Sequence, residues 1–167
     1  MPTITKSTVD KTLVGVAFYD QPGLIYPRWA LVLHQKHYNS RSVRVYQIRR
    51  HNDDDWALDH RMCHLKDLGD LIGVLHLTVS PYHIDVLDTL VQTFPAGKAS
   101  LNPGQVFAWG PSAWVIRALS ELHDYDYAII PGRFRARHFW DEGVEWSFVL
   151  RRKSAVEGIP MILWPTT

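Results

Sequence analysis

The stretch on which the fold turns is Gln105-Val106-Phe107-Ala108-Trp109-Gly110-Pro111-Ser112-Ala113-Trp114-Val115-Ile116-Arg117-Ala118-Leu119. Gly110-Pro111 breaks the chain, and proline suits the first turn of a helix because its missing N–H would have no partner there. Beyond the break, Trp114, Val115, Ala118, Leu119 and Leu122 recur at helical spacing. That predicts a helix of about three turns with one buried face. A loop therefore feeds directly into a core helix, whose first N–H groups point at whatever lies above the loop.

Upstream, the apolar period shortens to that of strands. Residues 13–19 (LVGVAFY) form an apolar run closed by the turn signal Asp20-Gln21-Pro22-Gly23. Residues 29–34 repeat the pattern, and residues 43–48 alternate apolar and polar as a half-buried strand does. With residues 36–42 as a hairpin connection, these three read as an antiparallel meander. Residues 51–55 read as a charged turn, 56–65 as a further edge strand and 71–78 (LIGVLHLT) as a strand.

The pattern then turns helical. Ser80-Pro81 predicts an N-cap and first helical position, with Ile84, Leu87, Leu90, Val91 and Phe94 as the apolar face and Pro95 as the stop. Residues 96–105 read as a loop before the helix at 111. Residues 125–131 read as a connector in which Ile129-Ile130 pairs briefly. A third helix is predicted over residues 135–153, weakened by Gly143 at about 1 kcal/mol of propensity. Residues 159–164 read as a terminal strand or extended tail. Strands first and helices afterwards predict an α+β fold: an antiparallel sheet of about four to six strands flanked by three helices. The expected organisation is a flexible tail over residues 1–12 and a single domain over 13–164.

Composition narrows the class. The chain has 167 residues, 46% of them apolar, with seven Trp and seven Tyr, enough for a dense core in one domain. Eighteen Lys and Arg stand against 17 Asp and Glu, so charge makes no case for a nucleic-acid or membrane surface. Cys63 is the only cysteine, which rules out an internal disulfide and suits a reducing compartment. No run approaches the ~20 apolar residues of a membrane span, and residues 1–12 lack a signal-peptide core. A cytoplasmic protein is expected, without cofactor or metal and of undetermined oligomeric state.

Four pieces carry a resemblance: Tyr26-Pro27-Arg28-Trp29-Ala30-Leu31, Val43-Arg44-Val45-Tyr46-Gln47-Ile48, residues 71–78, and Gly110-Pro111-Ser112-Ala113-Trp114-Val115. In this order, over roughly residues 13–153, the chain resembles a group of small fungal proteins with permuted papain-like (NlpC-type) domains. The resemblance implies a papain-like fold with a histidine on an early strand and a nucleophilic cysteine at the helix start. Here the histidine position falls on Arg28. The cysteine position falls on Pro111, or, with the alignment moved by one, on Ser112. Proline carries no nucleophile, and arginine stays protonated near neutral pH. On this reading the dyad is lost, and peptidase or amidase activity is not inherited with the fold.

Several residues invite chemistry beside a simpler structural role. Ser112 could replace the lost nucleophile, but serine needs an adjacent base; otherwise it caps the helix. His34 shares a strand with Arg28 but lies about 20 Å along it. Cys63, in Asp59-His60-Arg61-Met62-Cys63-His64, has no second cysteine for a metal site. It reads as a small buried or edge residue with solvated histidines beside it. His37 and Tyr38 join His34 at a hairpin end. His76 is either a core histidine or a cavity wall. Arg133, Arg135 and Arg137, with Phe134 and His138, could grip an anion or form a solvated loop.

The aromatic load decides the functional expectation. A cleft bounded by Arg28, Trp29, Tyr46, Phe107, Trp109 and Ser112 would hold a small, partly apolar organic ligand by stacking and one ion pair. Arg28, Ser112 and His76 are the candidates for catalysis, such as a cyclisation or isomerisation without a covalent intermediate. The alternatives are a residual hydrolase using Ser112 or Cys63, and a protein-interaction module.

Overall fold

The computed structural model describes residues 11–53, 55–98, 108–132, 134–153 and 158–165. Most of the expected tail, residues 99–107 (most of the expected loop at 96–105, and Phe107) and Arg133 lie outside the described residues. The meander forms as read: β1 (Thr12–Tyr19), β2 (Arg28–His34) and β3 (Val43–Tyr46) pair antiparallel in sequence. Gln47 ends β3, and the chain turns out into a two-stranded ribbon, β4 (Ile48–Asn52) with β5 (Asp55–Leu58). The expected charged turn at residues 51–55 is therefore mostly ribbon, and the single edge strand expected over 56–65 is divided. Its first part is β5, and its second is β6 (Arg61–Cys63), which pairs with β3. A 3-10 turn (Leu65–Leu68) leads to β7 (Leu71–Ser80), which returns beside β1.

Three helices follow: α1 (Ile84–Val91), α2 (Pro111–Asp124) and α3 (Ala136–Arg152). α1 starts later than Ser80-Pro81 predicts. The buried Ser80 hydroxyl donates to the Tyr127 carbonyl at 2.5 Å and accepts the Tyr82 N–H at 3.2 Å, closing a turn ahead of the helix, and it is His83 that caps α1 by accepting the Asp85 N–H. Ile129-Ile130 forms no strand. The Thr78 hydroxyl takes the Ile129 carbonyl, and His123 accepts the Ile130 N–H.

The main sheet runs β6-β3-β2-β1-β7-β8, with β8 (Met161–Leu163) as its last strand. β8 lies parallel to β7, Val74 opposite Met161. The architecture is thus α+β with three helices and a mixed six-stranded sheet, not the antiparallel sheet expected. A connection long enough to hold three helices lets a strand return in the same direction, which a hairpin cannot do. Gly73, at φ +156°, makes the approach possible, because a Cβ there would meet the Pro160 carbonyl at 2.7 Å.

Strand alternation sends two apolar sets to opposite faces. Val14, Val16, Phe18, Trp29, Leu31, Leu33, Leu75 and Leu77 meet the helices in the main core. Ala17, Tyr19, Ala30, Val32, Val43, Val45 and Val74 form a second, thinner core under Tyr38, Leu65, Leu68 and Ile159. The central strands are buried on both faces, which explains their near-continuous apolar runs. Among the described residues, no helix is long and apolar enough to cross a membrane.

Candidate functional site

Two elements meet where the sheet edge passes α1. On β3, Val43 and Val45 pack into the thinner core, so alternation turns Arg44 and Tyr46 to the helical face. On α1, Asp85 and Asp88, with Gln92 at the C-cap, follow i, i+3, i+7 spacing and share one side of the helix. Arg44 Nη2 lies 2.6 Å from Asp85 Oδ1, and its Nη1 lies 3.4 Å from Asp88 Oδ2. The Tyr46 hydroxyl donates to Asp88 Oδ1 at 2.5 Å, and Gln92 Nε2 donates to Asp88 Oδ2 at 2.7 Å. Burial and the Asp88 carboxylate both raise the Tyr46 phenol above its ordinary pKa. The bond from Arg44 holds Asp85 below the usual carboxylate range.

His60, from the turn between β5 and β6, sits against this network. Its ring lies 5.0 Å from that of Tyr46 and 5.6 Å from that of Trp114, in the first turns of α2. Both ring nitrogens are enclosed, and neither has a hydrogen-bond partner among the described residues. Burial lowers its pKa, opposed by Asp88 and Asp59, so the imidazole is neutral near pH 7. Beside it lies a cavity of about 400 Å³ lined by Arg44, Tyr46, His60, Arg61, Met62, Asp85, Asp88 and Gln92. The simple reading of His60 as a solvated histidine gives way to that of an enclosed one. Sequence reasoning missed it as a site residue, because its neighbours Tyr46, Asp88 and Trp114 are remote in the chain.

The residues of the expected cleft are dispersed. Tyr46 belongs to the network just described. Trp29 is fully buried beneath α3, edge-on to Phe18 and to Phe139. Arg28, its neighbour on β2, turns to the opposite face, over the Tyr19 ring at 4.6 Å. There it donates to Gln47 Oε1 and to the Leu68 carbonyl, and burial lowers its pKa. Arg28 therefore does not share a cavity with Trp29 or Tyr46. Trp109 is half-buried and donates to the Ala96 carbonyl at 2.9 Å. Ser112 is the second residue of α2, half-buried; Gly110 holds the N-cap position, with no side-chain cap. Phe107 lies outside the described residues.

His76 turns to the thinner core, where its Nδ1 and the Tyr38 hydroxyl share a 2.7 Å hydrogen bond and burial lowers its pKa. Cys63 is half-buried on the edge strand, and burial raises its thiol, which disfavours the thiolate that nucleophilic attack requires. His34 Nδ1 accepts the N–H groups of Lys36 and His37 and so closes the turn. Among the described residues, no cluster of three or more His, Cys, Asp or Glu side chains could hold a metal ion. No protein-family model matches the chain, and comparisons with curated proteins and with solved structures give no match either.

Proposed function

We propose that this protein binds a small, partly apolar organic molecule in the cavity between β3, β6 and α1, with His60 as its polar anchor. One observation carries the reading: an imidazole whose two nitrogens have no partner among the described residues stands beside a cavity of about 400 Å³. Each unmade hydrogen bond costs about 1–3 kcal/mol, so a ligand offering a partner is favoured by the amount it restores. A half-turn about the Cβ–Cγ bond exchanges Nδ1 with Cδ2 and Nε2 with Cε1, and is the movement that would present a nitrogen. Tyr46, His60 and Met62 supply apolar contact, while Arg44, Asp85 and Asp88 supply fixed charge. A neutral imidazole can also take a proton from a bound molecule and return it. That suits isomerisation or cyclisation without a covalent intermediate.

Kinship with the permuted papain-like proteins belongs to the same proposal. It is supported by the order of the four matching pieces along the chain, with the dyad positions occupied by Arg28 and Pro111. The lone Cys63 favours action in the cytoplasm.

The test is a thermal-shift screen of small aromatic, terpenoid and polyketide-like compounds against the wild type, His60→Ala and Arg28→Ala, with fluorophosphonate labelling alongside. A ligand at about 100 times its Kd adds about 2.7 kcal/mol of stability. The expected result is a shift that His60→Ala abolishes and Arg28→Ala retains, without labelling. A shift that survives His60→Ala and vanishes in Arg28→Ala would return the ligand to the opposite face of the sheet. Labelling at Ser112 would establish the hydrolase instead.

A further inference from the structure

A second hollow, of about 560 Å³, runs along the other side of α1, lined by Asp85, Val86, Thr89, Leu90, Thr93 and Tyr127. Its walls carry apolar groups, two threonines and the Asp85 carboxylate, and among the described residues no cation lines it. Val86 and neighbouring Tyr82 are well exposed, and the Tyr82 and Tyr127 rings lie 5.2 Å apart, which extends the apolar surface. Asp85 lines both this groove and the His60 cavity. Its side chain is 67% exposed; Oδ1 is bonded to Arg44, and Oδ2 lies 3.4 Å from His83 Nδ1. The charged residue common to both hollows is therefore a carboxylate, and the charges around it, Arg44 and Arg61 against Asp59, Asp85 and Asp88, leave an excess of acid.

We propose, resting on the cavity reading above, that the ligand is an amphipathic amine whose head lies between Asp85 and His60 and whose apolar tail crosses α1 along Val86, Leu90 and Tyr127. An ammonium head is attracted by the Asp85 carboxylate, and the neutral imidazole of His60 is an acceptor for its N–H. A carboxylate head at the same point would meet like charge. The two cations nearest the head, Arg44 and Arg61, are already paired with Asp85, Asp88 and Asp59. Without the groove, the cavity would hold a head but give no reason for a long tail.

The experiment titrates the intact chain, by tryptophan fluorescence and calorimetry, with straight-chain primary amines of increasing length and with the matched alcohols and carboxylic acids. Affinity for the amines is expected to rise about two- to fourfold per methylene while the tail lies in the groove. Amines should bind more tightly than alcohols or acids of equal length. Asp85→Asn should remove that preference, and Thr89→Arg, which sets a cation on the exposed groove wall, should remove the length dependence. Affinity independent of chain length, or equal for amines and acids, would overturn the inference. Propylamine binding that requires His60 but gains nothing from longer tails would overturn the groove alone. Amine binding indifferent to His60→Ala would strike the cavity reading itself.

Discussion

At Gly143, helix propensity and packing pull in opposite directions. Read along the chain, a glycine inside α3 weakens the helix. In the fold, a Cβ there would stand 2.2 Å from Trp29 Cη2 and 2.6 Å from Cζ2, so the indole occupies the space a side chain would need. Gly143→Ala gains about 1 kcal/mol of propensity, but overpacking a filled core costs about 1–3 kcal/mol and more where the neighbour cannot move. Trp29 is fully buried between Phe18 and Phe139 and cannot retreat. We expect a net loss of about 2 kcal/mol in urea unfolding; an unchanged or higher midpoint would mean that Trp29 repacks freely. Arg28 teaches the related lesson that chemical type does not give location. A cation beside a tryptophan suggested a binding cleft, but adjacent residues of a strand point to opposite faces.

At the level of elements, α2 is tied to the end of α1 by its tryptophans. Trp114 Nε1 donates to the Pro95 carbonyl at 3.1 Å, and Trp109 Nε1 donates to the Ala96 carbonyl. Trp56 of the β4–β5 ribbon lies beside Gly110. The helix start is thus clasped on two sides, and the Trp114 ring is also a wall of His60. Trp114→Phe keeps an aromatic ring but leaves the Pro95 carbonyl without its donor, at a cost of about 1–3 kcal/mol. Chemical denaturation should show that loss, together with a weakened ligand response, because the clasp and the cavity share one side chain. Full stability in Trp114→Phe would show that the carbonyl finds another donor.

Across the molecule, burial lowers the pKa of His34, His60 and His76 below 6.5. The unfolded chain takes up protons on these side chains near pH 6.5, while the folded chain does so only at lower pH. Between those values the unfolded state binds more protons, so stability rises with pH. Their contribution is fully present above about pH 7 and is lost as pH falls from 6.5 toward the lowered folded-state values. The urea midpoint should therefore drop between pH 7.5 and 5.5, and the double variant His60→Gln, His76→Gln should flatten the decline. An equal decline in that variant would assign the pH dependence elsewhere.

The sequence by itself determined the elements whose signals are local. The meander, β7 and the three helices are legible because alternation and helical spacing record which side of each element meets apolar neighbours. The Gly110-Pro111 helix start is legible because proline chemistry acts on its own backbone. Tyr46 entered the expected site as one of the aromatic residues on the strand read over residues 43–48. Only the tertiary structure decided which face of the sheet each helix covers, and with it the separation of Arg28 from Trp29. It decided that β8 lies parallel to β7, since direction depends on the path of the intervening chain. It also brought together the His60 network, in which Tyr46 and Asp88 are 42 residues apart. Periodicity reports what one element buries, whereas a cavity is made by several elements at once. Its walls are set by packing between residues that no local pattern relates.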